Sequence, residues 1–269
     1  MENTIEGTGI EVFDLRSDAA FTSRRLHSRD IGLQMEGLQR LSHAFVESPE
    51  TILQVLVDAA VDLCGADSAG ISIERADGTD SDFYHWIATA GDYSGFLNAI
   101  LPRSPSACGV CLDRGHAQRF TVSQKFFDIL GVEAPVITDG ILLPWKTEDT
   151  RGTIFVMAHG RTEAFDKDDA RLMTMLADFA AMGYRQLKQR ERIIRQERAE
   201  AVARMSNQLA HEINNPLQSM SNTAFLLSMG NPEQDVPSLG RLLVDEIHRL
   251  SGLVQVLLTL PMEPGRPAL

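Results

Sequence analysis

The stretch LAHEINNPLQ, residues 209–218, sets a histidine, an acid, an amide and a proline at fixed spacing: His211, Glu212, Asn215 and Pro216. An imidazole titrates near neutrality, and its unprotonated nitrogen carries a lone pair, so a solvent-facing histidine can act as a nucleophile. The adjacent Glu212 could take or orient the imidazole proton. Asn215 falls one helical turn after His211, where its amide could position a water or a phosphoryl oxygen. Pro216 has no N–H to give the carbonyl of Glu212, which loosens the helix directly below the histidine. The competing metal motif is broken. H-E-x-x-H would put two zinc ligands on one helix face, but here the fifth residue is Asn215, so no metal site is expected.

The elements that must carry these residues are helical. Val202, Met205, Leu209, Ile213, Leu217, Met220, Ala224 and Leu227 recur at spacings of three and four. At about 100° per residue, His211 lies roughly 200° around from Leu209 and roughly 160° from Ile213. It therefore falls on the outer face, as a reactive group or as an ordinary exposed polar residue. After the loop MGNPEQDVP, a second helix repeats Leu239, Leu243, Ile247, Leu250, Val254 and Leu257. The two form an antiparallel hairpin over 205–260. Two helices alone bury too little, so a four-helix bundle made from two chains is expected. The tail 261–269, within LPMEPGRPAL, is too rich in proline to continue the helix.

Upstream, residues 1–28 are polar and weakly periodic and read as a flexible tail. Residues 29–184 read as an α+β domain, an antiparallel sheet flanked by helices. A helix runs from about Arg29 to Glu47, and a second opens at Pro49. SAGISIERA (68–76), with the turn ADGTD, and FYHWIATAG (83–91) are strand candidates. ILLPWK (141–146) and RGTIFVMAHG (151–160) form an antiparallel pair joined by TEDT. The closing helix is capped by Asp166 with Asp169 and preceded by Phe165, and Leu172, Met175, Leu176, Phe179 and Met182 form its apolar stripe. From Tyr184 to Asn215 there is neither proline nor glycine. Residues 185–204 hold seven basic and three acidic residues, with Glu191–Arg195 and Glu200–Arg204 spaced to pair along a helix. This is a solvated signalling helix, a connector paired with its copy as a coiled coil.

The totals exclude several classes. The 269 residues carry a net charge of −12, against a nucleic-acid partner. No apolar run is long enough to span a membrane, and MENTIEGTGIEVFDL has no signal-peptide pattern. Three cysteines, Cys64, Cys108 and Cys111, make no disulfide framework, so a cytoplasmic location is expected. The C-x-x-C pair Cys108–Cys111 occurs once, without the second pair that zinc needs. It is read as structural, with redox sensing or tetrapyrrole attachment as the alternative, and both cysteines are retained as candidate cofactor contacts. His116 and His159 are weaker candidates for haem or metal. Trp86 and Trp145 are expected in the core.

HEINNPLQ on the first helix of a dimeric hairpin resembles the H-box of HisKA-type sensor histidine kinases. The resemblance implies that His211 is the phosphoacceptor, that Glu212 assists removal of its proton, and that Asn215 stands where dephosphorylation of the response regulator is served. LPRSPSACGVCLDRG, LLPWK and RGTIFVMAHGRTEAFDKDDARLMTMLADFAAMGYR resemble a GAF sensory domain. Such domains bind cyclic nucleotides, tetrapyrroles or haem, or only dimerise, and their motifs do not name the ligand. The resemblance implies two-component phosphorelay signalling as a homodimer, with a response regulator receiver domain as partner. Family kinases continue into an ATP-binding domain with an Asn box and glycine-rich boxes. No such boxes follow here, so ATP and Mg are expected only if a separate kinase or ATP-binding domain supplies them in trans. Either the chain is a piece of a longer kinase, or another protein phosphorylates its histidine. The alternative is a non-enzymatic GAF regulator that binds a ligand and acts by dimerising with kinases.

Overall fold

The structure is a computed structural model that describes residues 4–5, 7–24, 31–75, 83–229 and 235–259. The expected ADGTD turn, most of the MGNPEQDVP loop and the tail 261–269 lie outside these residues. The chain divides into two compact units, Met1–Arg190 and Glu191–Leu269.

In the first unit the elements run β1 (Thr4–Ile5), β2 (Ile10–Asp14), α1 (Ala19–Ser23), α2 (Ile31–Glu47), α3 (Ile52–Cys64), β3 (Ser68–Glu74), β4 (Phe83–Gly91) and β5 (Ile100–Pro102). Then come α4 (Ala107–Arg114), β6 (Gln118–Val122), α5 (Gln124–Leu130), β7 (Ile137–Lys146), β8 (Arg151–Ala158) and the start of α6 (Lys167–Ser228). The eight strands form one sheet in the order β1-β2-β6-β7-β8-β3-β4-β5. Every pairing is antiparallel. This is the α+β arrangement that the sequence predicts.

Successive strand residues point to opposite faces, and both faces of this sheet are covered. Ile154, Val156 and Ala158 of β8, with Ile141, Leu143 and Trp145 of β7, pack against α3 and the first turns of α6. Phe155, Met157 and Leu142 point the other way, toward α4 and α5. Burial on both sides explains why the central strands are nearly continuous apolar runs and not alternating ones. Close approach also constrains the β7–β8 pair. A Cβ on Gly152 would lie 2.0 Å from the Ser72 carbonyl oxygen and 2.6 Å from the Trp145 ring. Gly152→Ala should therefore cost about 1–3 kcal/mol by overpacking and lower the Tm in calorimetry. An unchanged Tm would show that β8 can slide away from Trp145.

The sequence places a flexible tail over 1–28, and the structure corrects this for residues 10–24. Strand β2 pairs with β6 from Ile10 opposite Val122 to Asp14 opposite Gln118. Ile10 and Val12 are buried. Asp18 caps α1, accepting from the Phe21 N–H at 2.9 Å, and also accepts from Arg119 Nε at 3.0 Å. Burial works against charge on Asp18, but these donors outweigh it and hold its carboxyl below the usual range. Arg24 then donates to Asp139 Oδ2 at 2.7 Å and to the Phe165 carbonyl at 3.0 Å. The partners of this segment lie a hundred residues away, so no local pattern announces it.

Helix α6 starts at the expected cap. Asp166 Oδ1 accepts from the backbone N–H groups of Asp168 and Asp169 at 2.8 and 3.3 Å, and Asp169 returns a bond to the Asp166 N–H at 3.0 Å. This reciprocal capping satisfies donors that a helix N-terminus leaves orphaned. Its apolar stripe differs from the expected one. Leu172 and Leu176 are buried, but Met175 and Met182 are exposed, and Met173, Ala177, Ala180 and Tyr184 complete the buried face. Over 191–200 every residue of the helix is exposed. There Glu200 accepts from Gln196 at 3.1 Å.

The second unit holds the rest of α6 and α7 (Val236–Thr259), the two arms of the helical hairpin. Asp235 caps α7 by accepting from the Ser238 N–H at 3.2 Å, and Pro237 fits in the first turn, where no N–H is needed. No helix among the described residues is long and apolar enough to cross a membrane.

Candidate functional site

The hairpin presents His211 as the sequence geometry predicts. Leu209 and Ile213 are half-buried, whereas His211 is exposed. Among the described residues its imidazole has no hydrogen bond or ion pair. Asn215, one turn on, is also exposed, so the imidazole and the amide share an accessible strip. Glu212 is half-buried, and its carboxylate accepts from Gln208 Nε2 at 2.9 Å. That bond links the acid to the exposed Gln208 one turn back and leaves the His211 ring unengaged. Pro216 is buried, and α6 continues through it to Ser228. The helix thus absorbs the loss of one N–H donor, leaving the Glu212 carbonyl without its usual partner one turn on.

A second candidate site lies in the first unit, between the sheet and helices α4 and α5. It is a cavity of about 230 Å³. Ile10 closes it from β2, Tyr84 and Trp86 from β4, Phe120 from β6, Phe126 and Phe127 from α5, and Phe155 from β8. Trp86 packs on Phe155 with ring centroids 5.0 Å apart. Among the described residues no Asp, Glu, Lys, Arg or His lines the space. Two of its wall hydroxyls are already committed. Tyr93 donates to the Pro135 carbonyl at 2.7 Å. Ser106 donates to the Arg103 carbonyl at 3.0 Å and accepts from the Gly109 N–H at 2.9 Å. The Tyr84 hydroxyl has no partner among the described residues, although Tyr84 is only 1% exposed. Burial pushes its ionisation well above the ordinary tyrosine range, so it stays a donor.

The sequence does not point to this cavity. Its wall draws on β2, β4, β5, β6, β7, β8, α4 and α5, which only the fold gathers. The one traceable signal is the aromatic pair Phe126–Phe127. The two tryptophans divide. Trp145 lies in the helix-side core against Tyr184, centroids 5.2 Å apart, whereas Trp86 faces the cavity as well as the core.

Cys108 and Cys111 sit on α4. Cys108 Sγ lines the cavity and accepts from Thr153 Oγ1 at 3.2 Å. The buried Cys111 thiol points to the carbonyls of His116 and Leu142 at 3.5 and 3.7 Å. Burial pushes both thiols up, Cys111 well above the ordinary range, so neither supplies thiolate near neutrality. A disulfide reagent such as DTNB at pH 8 should therefore react with no cysteine of the native chain in minutes, and with all three after unfolding. Rapid native labelling would instead support redox or attachment chemistry. His116 is held by Arg16, by Gln118 at 2.7 Å and beside Asp14 at 3.4 Å. His159 bonds Ser68 Oγ at 2.8 Å and the Val136 carbonyl at 2.9 Å, and stacks on Tyr93. Neither histidine lines the cavity.

Residues 46–183 match the GAF domain family, and residues 201–262 match the His Kinase A (phospho-acceptor) domain. None of the curated proteins matches the chain. Similar solved structures include the GAF domain of a phosphoenolpyruvate-protein phosphotransferase from Acinetobacter. It is 13% identical, with 57% of this chain and 93% of that one covered and a TM-score of 0.46. Another is the phycocyanobilin-bound GAF domain of a cyanobacterial phytochrome, at 17% identity, 61% and 96% coverage and a TM-score of 0.43. A third is the chromophore-binding domain of an unusual bacteriophytochrome from R. palustris, at 13% identity, 62% and 65% coverage and a TM-score of 0.48. With its covered antiparallel sheet and its exposed hairpin histidine, the chain belongs to the GAF domain family and carries a histidine-kinase phospho-acceptor domain after it.

Proposed function

We propose that this chain is a two-component signalling protein in which the GAF domain senses a signal and controls phosphoryl transfer at His211. The observation that carries this reading is the exposed, unengaged imidazole of His211 inside the phospho-acceptor match. In the proposed reaction an imidazole nitrogen attacks a phosphoryl group. The new P–N bond replaces the bond to the donor, and Glu212 takes the ring proton. The phosphoryl group then passes to an aspartate of a response regulator receiver domain, or returns from one. Asn215 positions the attacking water or the phosphoryl oxygens, and Pro216 keeps the helix below the histidine free to adjust. A homodimeric four-helix bundle fits the apolar residues that one chain leaves open, among them Leu217 at 42% and Ile247 at 43% exposure. The signal passes along α6, which starts at Lys167 and includes His211.

The test combines the full chain with a histidine-kinase ATP-binding domain and labelled ATP, or with a phosphorylated receiver. Acid-labile label on the chain supports the reading. Its absence with both donors, while the chain still dimerises, favours a GAF regulator that works by dimerisation alone.

A further inference from the structure

We propose that the GAF cavity is a binding site for a compact, uncharged, largely aromatic molecule of about bicyclic size, oriented by one hydrogen bond to Tyr84. The inference rests on the sensor reading and names the class of its ligand. Three features of the cavity carry it.

Size comes first. The space is about 230 Å³. An apolar cavity of roughly 150 Å³ is filled by benzene, so this one has room for a second fused ring. A tetrapyrrole, with its four rings and ionised side chains, is far larger. Charge comes second. Among the described residues no basic side chain faces the space, and in the first turn of α4, which borders it, the Gly109 N–H is already spent on Ser106. A phosphate or carboxylate placed here would lose its water and gain no counter-charge. That argues against a cyclic nucleotide. Third, the walls call for a flat apolar guest. Trp86, Phe120, Phe126 and Phe155 offer ring faces and edges that suit offset or edge-on packing of another ring.

The Tyr84 hydroxyl then supplies direction. A buried polar group with no partner is costly and uncommon in folded proteins. Here the neighbouring hydroxyls of Tyr93 and Ser106 are taken, and that of Tyr84 remains open. A ligand carrying one acceptor or donor atom on an otherwise apolar frame would complete it. Glu74 and Arg103 lie near this tyrosine, but they are engaged with each other at 2.8 Å and do not line the cavity.

Titration calorimetry on the full chain tests the assignment with naphthalene, indole and quinoline, against cyclic GMP and biliverdin as charged alternatives. Indole and quinoline should bind, naphthalene more weakly, and the two charged probes not at all. Tyr84→Phe should weaken indole and quinoline by about 3–10-fold, the worth of one hydrogen bond, and leave naphthalene unchanged. Ala107→Leu, which narrows the space from α4, should abolish binding of all three. The near-UV spectrum of each variant confirms that the aromatic core is intact. Failure of every neutral probe, or cyclic GMP or biliverdin binding as tightly as indole, overturns the proposal. If the neutral probes bind and phosphoryl label on His211 ignores them, the sensor reading fails and the site stands. If the label forms but no neutral probe binds, only the ligand class fails.

Discussion

His211→Gln should reduce acid-labile phosphoryl label on the chain to background while leaving its fold and oligomeric state unchanged. Glutamine keeps a polar side chain of similar reach but has no nucleophilic ring nitrogen, so the P–N bond cannot form. The substitution is structurally mild because the imidazole is exposed and holds no partner among the described residues, so nothing buried is orphaned. Neighbouring substitutions should separate the roles. Glu212→Gln keeps the hydrogen bond to Gln208 within reach but removes the proton acceptor. It should slow labelling by roughly 10²-fold or more, in the range of general-base effects. Asn215→Ala should leave labelling near the wild-type level and slow loss of phosphate from a receiver. If label persists in His211→Gln, the phosphoacceptor lies elsewhere and the proposed function fails.

Asp139→Ala should destabilise the first unit by about 3–5 kcal/mol, the usual cost of removing one partner from a buried ion pair. The Asp139 side chain is 1% exposed and that of its partner Arg24 is 8% exposed. Asp139 Oδ2 accepts from Arg24 at 2.7 Å and from the Phe165 N–H at 3.4 Å, and Arg119 Nη1 lies 3.8 Å from its other oxygen. With the carboxylate removed, Arg24 is left charged and dehydrated, and the docking of residues 10–24 weakens with it. Domains are stable by only about 5–15 kcal/mol, so a loss of this size shows plainly. Urea unfolding followed by tryptophan fluorescence reports this unit alone, since both tryptophans, Trp86 and Trp145, lie in it. A paired replacement, Arg24→Met with Asp139→Leu, should recover much of the loss, because no charge is then stranded. A change below about 1 kcal/mol for Asp139→Ala would show that Arg24 escapes to water, as exposed pairs do.

The sequence by itself determined the features that rest on neighbours along the chain. Helical periodicity of 3.6 residues places His211 opposite Leu209 and Ile213, and its imidazole is exposed. The Asp166–Asp169 cap spans four residues and marks the start of α6. FYHWIATAG is strand β4 to the residue, because its aromatic and β-branched composition suits a strand. The buried face of α6 is an exception. Met175 and Met182 look as apolar as Met173, and only the side on which the sheet lies decides which methionine is covered.

Tertiary structure decided what depends on residues distant in sequence. IEVFD is five residues among polar ones, too short to declare itself, and it becomes strand β2 only because β6 offers an edge about a hundred positions later. Arg24 and Asp139 are two ordinary surface-type residues until folding removes both from water, after which their attraction is no longer screened. The cavity has no continuous linear signature, since it is space left between side chains of eight elements. Its chemistry follows from what folding withheld: among the described residues, no charge on the wall, and one hydroxyl, on Tyr84, without a partner. Reactivity at His211 could be read locally because it needs exposure and near neighbours. Selectivity in the GAF domain could not, because it needs a surface closed on several sides, and only the packed sheet and helices supply one.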